Sequence, residues 1–166
     1  MVLFVLPLTC FCSQVIPFLG IDGSVVLYVG GVAELFKCNL DEERIYLSKR
    51  KGFIKLALRE GVDVVPIYFF GNTTVLSILK HPILEYLSRK IQAAVTIMWG
   101  KYGLPIPRSH KIFCAIGSPL GLPHLEDPTD EEINIWHAKY CKEIKRIFDK
   151  YKEKVPLYKD KELFID

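Results

Sequence analysis

The clearest pattern in the chain lies near its C-terminus. Ile133, Trp136, Tyr140, Ile144, Ile147 and Tyr151 recur at helical spacing and make one apolar stripe. Thr129 and Glu132 stand ahead of the stripe in capping-box order, so a helix is predicted to begin there. Gly52 to Glu60 carries the same period, with Phe53, Leu56 and Ala57 on one side and Lys55 and Arg59 on the other. Gly61 follows where a helix C-cap glycine belongs. Thr73 to Lys80 is apolar on most sides and stops at His81-Pro82, after which Leu84 to Ile91 resumes helical spacing. Val32 to Phe36 reads as the start of a short helical turn.

Short apolar runs fall between these stretches. Ser24 to Val29, Arg44 to Leu47, Val62 to Phe70, Ala93 to Trp99 and Lys111 to Ile116 read as strands. Pro66 sits inside the third of them, where a missing N–H favours an edge or a bulge. Helix, glycine, strand from Gly52 to Phe70 is the order of the αβ half of a βαβ unit. The alternation predicts an α/β fold, with a mixed, mostly parallel sheet flanked by helices.

Composition narrows the class. Hydrophobic residues make up 50% of the 166 and charged residues 25%, which excludes a disordered chain. The mean hydropathy of +0.21 implies a sheet buried on both faces or a surface that meets lipid. A net charge of +3 is too small and too evenly spread to point to nucleic acid. Lys139 to Lys154 is interrupted by Glu143, Asp149 and Glu153, as on a solvated helix face. Five cysteines (Cys10, Cys12, Cys38, Cys114 and Cys141) form no Cys-x-x-Cys, so reduced thiols are expected and no zinc site. No charged side chain occurs before Asp22, and Pro7 and Pro17 interrupt this apolar stretch. A buried strand pair, a membrane-dipping segment and a truncated or misassigned start all remain open for it.

No Gly-x-Ser-x-Gly elbow, Walker loop or Gly-x-Gly-x-x-Gly is present. None of His81, His110, His124 and His137 has an aspartate five positions later. His81 reads as a turn residue and His137, beside Trp136, as a surface residue. His124 stands close to Glu126 and Asp127, a general-base pair or a solvated turn, and no metal site is indicated. Three segments carry chemistry even without a nucleophile. Gly30 and Gly31 end a predicted strand, permit close backbone approach and place Glu34 where α/β sheets bind ligands. Arg50 and Lys51 open a helix with two cations against its dipole, an arrangement that an anionic ligand would relieve. Trp99, Tyr102 and Pro105 lie in a rigid aromatic loop that could wall an acyl pocket or simply close the sheet.

Taken in order, these segments resemble the type-2 diacylglycerol acyltransferase family, which includes monoacylglycerol and wax-ester acyltransferases. The carrying residues are Val29-Gly30-Gly31-Val32-Ala33-Glu34, the long block from Arg50 to Gly61, and Val64 to Gly71. Trp99 to Gly103, Pro105-Ile106-Pro107, Ile116 to Leu120, and the last helix with Phe148-Asp149-Lys150-Tyr151 follow in family order, so the match runs from about Ser24 to Tyr158. The resemblance implies a fold related to the glycerol-phosphate acyltransferases. It also implies transfer of a fatty acyl group from acyl-CoA to a diacylglycerol hydroxyl, at the endoplasmic reticulum membrane and on lipid droplets.

It further implies an upstream His-Pro-His-Gly motif whose histidine is the general base. These 166 residues contain no such motif, and His81-Pro82 is followed by Ile83-Leu84. A general base contributes about 10²–10⁴-fold, so a chain without one is expected to be inactive alone. The catalytic residues are therefore unassigned. Gly30, Gly31 and Glu34 are expected on the acceptor side, Arg50 and Lys51 at the CoA phosphates, and Trp99, Tyr102 and Pro105 in the pocket wall. Residues 1–22 read as an apolar segment, 23–158 as the C-terminal part of an acyltransferase domain, incomplete at its N-terminus, and 159–166 as a tail. Expected partners are acyl-CoA and diacylglycerol as substrates and a membrane surface; no cofactor, metal or nucleic acid is expected, and a homo-oligomer is left open. The rival readings are a non-catalytic lipid-binding or regulatory module and, third, a phosphate-acceptor acyltransferase.

Overall fold

The computed structural model describes residues 26, 27, 29, 42–91 and 95–166. Within them the chain runs β1 (Glu43–Ile45), α1 (Gly52–Glu60), β2 (Ile67–Phe70), α2 (Asn72–Val75) and β3 (Ser77–Ile78). Then follow α3 (Pro82–Ile91), β4 (Met98–Trp99), β5 (Phe113–Ile116), α4 (Asp130–Tyr151) and β6 (Leu163–Ile165). One-turn 3₁₀ helices cover Lys101–Gly103, Lys152–Lys154 and Pro156–Tyr158. The strand read at Ser24 to Val29, the turn at Val32 to Phe36, the apolar segment 1–22 and the first three cysteines fall wholly or mostly outside the described residues.

The sequence expectation of a mixed α/β fold holds, but mostly parallel strands are not what the described residues form. They make three separate pairs: β1 with β6 parallel, β2 with β5 antiparallel, and β3 with β4 antiparallel. The β1-α1-β2 order accordingly does not close as a βαβ unit, because β1 takes its partner from the C-terminus instead. Residues 159–166, read as a tail, are part of the packed fold. Leu163 is buried, and Leu47 and Ser48 donate backbone N–H to the Asp166 carbonyl at 2.9 and 2.8 Å.

Helix α4 forms as its pattern predicts. The Thr129 hydroxyl accepts from the Glu132 N–H, and the Glu132 carboxylate accepts from both the N–H and the hydroxyl of Thr129. The Thr129 N–H, then its hydroxyl, holds the Glu132 carboxyl below its ordinary pKa. Ile133, Tyr140, Ile144 and Ile147 of the predicted stripe are buried, together with His137 and Phe148. Trp136 and Tyr151 are only half-buried at its margin. Helix α1 buries Ile54, Ala57 and Leu58, so its core face is turned toward Ile54 relative to the predicted Phe53-Leu56-Ala57 side. It ends on Gly61 in the left-handed region at φ +63°, as the glycine position predicts.

The core is aromatic. Phe70 stacks on Phe148 at 5.6 Å and meets Tyr158 edge-on at 5.2 Å, while Tyr68 lies 5.3 Å from Phe148. The predicted strand from Val62 shrinks to Ile67–Phe70, because Pro66 has no N–H for a ladder. The preceding carbonyls are still used: Leu120 N–H donates to Val64 and Gly117 N–H to Pro66. Of the strand read from Ala93 to Trp99 the described residues form Met98–Trp99, Ala93 and Ala94 lying outside them, and the one read from Lys111 begins at Phe113. Replacing Thr129 with alanine is expected to lower stability by about 1 kcal/mol through loss of the cap, read as a lower urea midpoint with unchanged slope.

Candidate functional site

The two predicted cations lie on a tight turn between β1 and α1. Arg50 N–H donates to the Leu47 carbonyl at 2.9 Å, and Lys51 occupies the N-cap position of α1. No acidic residue and no side-chain cap satisfies the first turn of that helix. Its free N–H groups and the Lys51 ammonium therefore stand together without a carboxylate in the same turn. The Lys51 ammonium donates to the Asn134 side-chain oxygen at 2.6 Å. A shallow pocket here is lined by Lys51, Gly52, Lys55, Asp130, Ile133 and Asn134. Two lysines and the helix N-terminus can hold an anion, while Asp130 at the rim opposes one.

His137 holds this turn in place, which sequence reasoning missed by reading it as a surface residue. It is buried on α4, and its Nε2 lies 2.9 Å from the Leu47 carbonyl that also receives the Arg50 N–H. A carbonyl can only accept, so Nε2 carries the proton and donates. Phe53 contacts the imidazole ring edge-on at 6.4 Å, and the Cys141 sulfur lies 3.8 Å from Nδ1. Burial lowers the His137 pKa; the bond to Leu47 opposes this and the nearby Lys51 charge adds to it. The physical reason for the burial is tertiary: the β1–α1 turn packs over a helix face that looks open in one dimension.

The aromatic loop stands elsewhere. Trp99 is half-buried at the end of β4, whereas Tyr102 and Pro105 are exposed, Tyr102 by 82%. Gly100 N–H donates to the Leu104 carbonyl and Lys101 N–H to that of Ile106. A Cβ on Gly100 would fall 2.1 Å from the Ile106 oxygen, so only glycine permits this close approach. Arg108 clips the loop to the β2–β3 connection through the Val75 and Thr74 carbonyls and the Ser77 hydroxyl. None of Trp99, Tyr102 and Pro105 lines the pocket beside Lys51. Of the two predicted cations Lys51 lines this pocket and Arg50 does not, and none of the three wall residues joins it there. Gly30, Gly31 and Glu34 lie outside the described residues.

His81 caps its own turn, accepting from Ile83 N–H at Nδ1, and His124 is exposed. Among the described residues Cys114 and Cys141 are free thiols, and no group of His, Cys, Asp or Glu is arranged to hold a metal.

A buried polar network was not foreseen. Glu43 of β1 and Lys161 pair at 3.4 Å with both side chains buried. The Tyr68 hydroxyl donates to the Glu43 carboxylate at 3.1 Å, and Thr73 reaches the same group at 3.5 Å. Thr73 also bonds the Tyr158 hydroxyl, which accepts from Gly71 N–H at 2.8 Å. Burial pushes the Tyr158 hydroxyl up, so it stays protonated. The available signal was alternation: Glu43, Ile45 and Leu47 stand two apart, as do Lys161 and Leu163, the spacing of one strand face.

These features define the class: a mixed α/β domain with an aromatic core and a cationic helix start beside the last long helix. Residues 18–166 match the family model described as diacylglycerol acyltransferase, and the chain belongs to that family. It is 33% identical to diacylglycerol O-acyltransferase 2 of Xenopus tropicalis, across 84% of this chain and 42% of the relative. The corresponding protein of Danio rerio is 34% identical over 88% and 44%, and that of Homo sapiens 35% over 83% and 39%. The chain thus spans less than half the length of these relatives. No solved structure matches it.

Removing one partner of a buried ion pair leaves the other uncompensated. Lys161→Met is expected to cost about 3–5 kcal/mol, with much of it regained in the Glu43→Gln/Lys161→Met double variant, read as a chemical-denaturation cycle. His137 gives a pH signature. Its folded pKa lies below the unfolded 6.5, so the unfolded chain binds more protons just below that value. Its contribution is full above about pH 6.5 and is lost as pH falls toward the folded pKa. Thermal melting should show this step in the parent chain and not in His137→Gln, which keeps an amide donor for Leu47.

Proposed function

We propose that this chain forms the acceptor-side and core part of an enzyme that moves a fatty acyl group from acyl-CoA to the free hydroxyl of diacylglycerol. The observation that carries the reading is the family match over residues 18–166. In the reaction the hydroxyl oxygen attacks the thioester carbonyl, a C–O bond forms, the C–S bond breaks and CoA leaves as a thiol. The hydroxyl proton passes to a base, and in this family that base belongs to a His-Pro-His-Gly motif that these 166 residues do not contain. Gly30, Gly31 and Glu34 shape the acceptor side. Arg50 and Lys51, with the uncapped start of α1, receive the CoA phosphates, Lys51 exchanging Asn134 for an anionic oxygen. Trp99, Tyr102 and Pro105 bound an apolar wall. The same reading assigns a fold related to the glycerol-phosphate acyltransferases, and a place at the endoplasmic reticulum membrane or on lipid droplets.

A second reading is a lipid-binding or regulatory module without turnover. Labelled acyl-CoA and diacylglycerol offered to the purified chain separate the cases. The expected result is acyl-CoA binding without turnover, weakened about tenfold in Arg50→Ala/Lys51→Ala. Adding the motif-bearing part of a family member should then restore transfer if the chain is the acceptor-side part. Binding that never yields product with that part present favours the module. Sustained turnover by the chain alone overturns the claim of inactivity and points to a base within it, His124 first.

A further inference from the structure

Helix α3 is mounted with its apolar side outward. At 100° per residue, Ile83, Tyr86, Leu87 and Ile91 fall on one arc. On a helix of a water-soluble domain that arc faces the core. Here Ile83 and Tyr86 are each 67% exposed and Ile91 is 56% exposed. The inward position is taken by a serine. Ser88 is completely buried, donates its hydroxyl proton to the Val95 carbonyl at 2.9 Å and accepts from the Val95 N–H at 3.0 Å. This two-way bond fixes the helix to the segment that leads into β4, so the outward orientation is built in.

The antiparallel β3–β4 pair, whose strands flank α3 in the chain, carries further exposed apolar residues. Leu79, Ile97 and Met98 are exposed, and Leu79 N–H bonds the Ile97 carbonyl. Charge sets the partner. Between residues 64 and 125 there are six Lys and Arg and a single acid, Glu85. The whole chain has 22 against 19, so the remainder carries 16 against 18 and is slightly acidic. The net positive charge of the chain thus belongs to the span that holds the apolar face. Lys90 falls on the same arc of α3, where its stem can lie along apolar surface and its ammonium reach outward. An exposed tyrosine on the apolar arc with lysine beside it is the composition of a helix lying in a bilayer interface. Among the described residues no helix is long and apolar enough to cross a membrane.

We infer that α3 and the β3–β4 strand pair form an in-plane docking face for a bilayer surface bearing anionic headgroups. The apolar arc enters the headgroup–acyl boundary and Lys90 and Lys101 meet lipid phosphates. This deepens the membrane-surface part of the proposed function, since an enzyme drawing diacylglycerol from a bilayer must rest on it, but its test does not read acyl transfer.

The purified 166-residue chain is mixed with phosphatidylcholine vesicles containing none or about 30% phosphatidylserine, and bound protein is measured by flotation. The chain is expected on the anionic vesicles, less in high salt. Ile83→Glu/Tyr86→Glu should lower the partition at least about tenfold, and Lys90→Glu should lower it on anionic vesicles alone. Ile135→Glu, the same change at a 66% exposed site on α4, should leave it unaltered, with circular dichroism verifying each fold. Three results overturn the inference: no flotation of the parent chain, flotation undiminished by the double substitution, or a parent dimer that the double variant splits without any vesicle affinity. The last would give the face to a second copy. Failure of acyl transfer to appear when the motif-bearing part is added, with flotation intact, would count against the proposed function and leave this face standing.

Discussion

The stacking of Phe70 on Phe148 is the contact on which the described fold depends. Phe70 ends β2 and Phe148 lies on the buried side of α4, and neither has measurable exposure. Through Phe70 the same cluster reaches Phe113 of β5 and Tyr158 of the last turn. Three two-stranded pairs could not hold a domain by their ladders alone, since isolated strand pairs are marginal in water. What joins two of them is the long helix across their faces, with Ile144, Ile147 and Phe148 of its buried side in the common core.

That arrangement explains why the C-terminus matters. Once Tyr158 is drawn into the aromatic cluster, Lys161 and Leu163 follow it inward, and β6 completes β1. Glu43 is tolerated in the interior because Lys161, Tyr68 and Thr73 all address its carboxylate. A buried charge with fewer partners would cost several kcal/mol. The network thereby ties both ends of the described chain to the middle of β2, the strand that follows the proposed CoA-phosphate turn.

The apolar surface is distributed to match. α4 turns its stripe inward and its charges outward, while α3 turns its stripe outward and buries a serine. Both are amphipathic, yet they meet different surroundings. Among the described residues the exposed and buried apolar side chains are thus divided between a core and an outward face.

Much of the local structure was written in the residues. The capping box at Thr129, the period of α4, the glycine stop of α1 and the break at Pro66 each follow from chemistry within a few positions, where no distant partner intervenes. Arg50 and Lys51 at a helix start were legible for the same reason. Strand partners were not, because pairing depends on which edges meet, and the parallel β1–β6 ladder joins residues 120 positions apart in sequence. His137 and Lys161 look like surface residues in one dimension and are buried because the β1–α1 turn and the Tyr158 cluster close over them. Helical spacing placed Leu84 to Ile91 on a helix, but a periodic stripe does not say what it faces. Only the Ser88–Val95 clamp decided that α3 shows its apolar side to the outside.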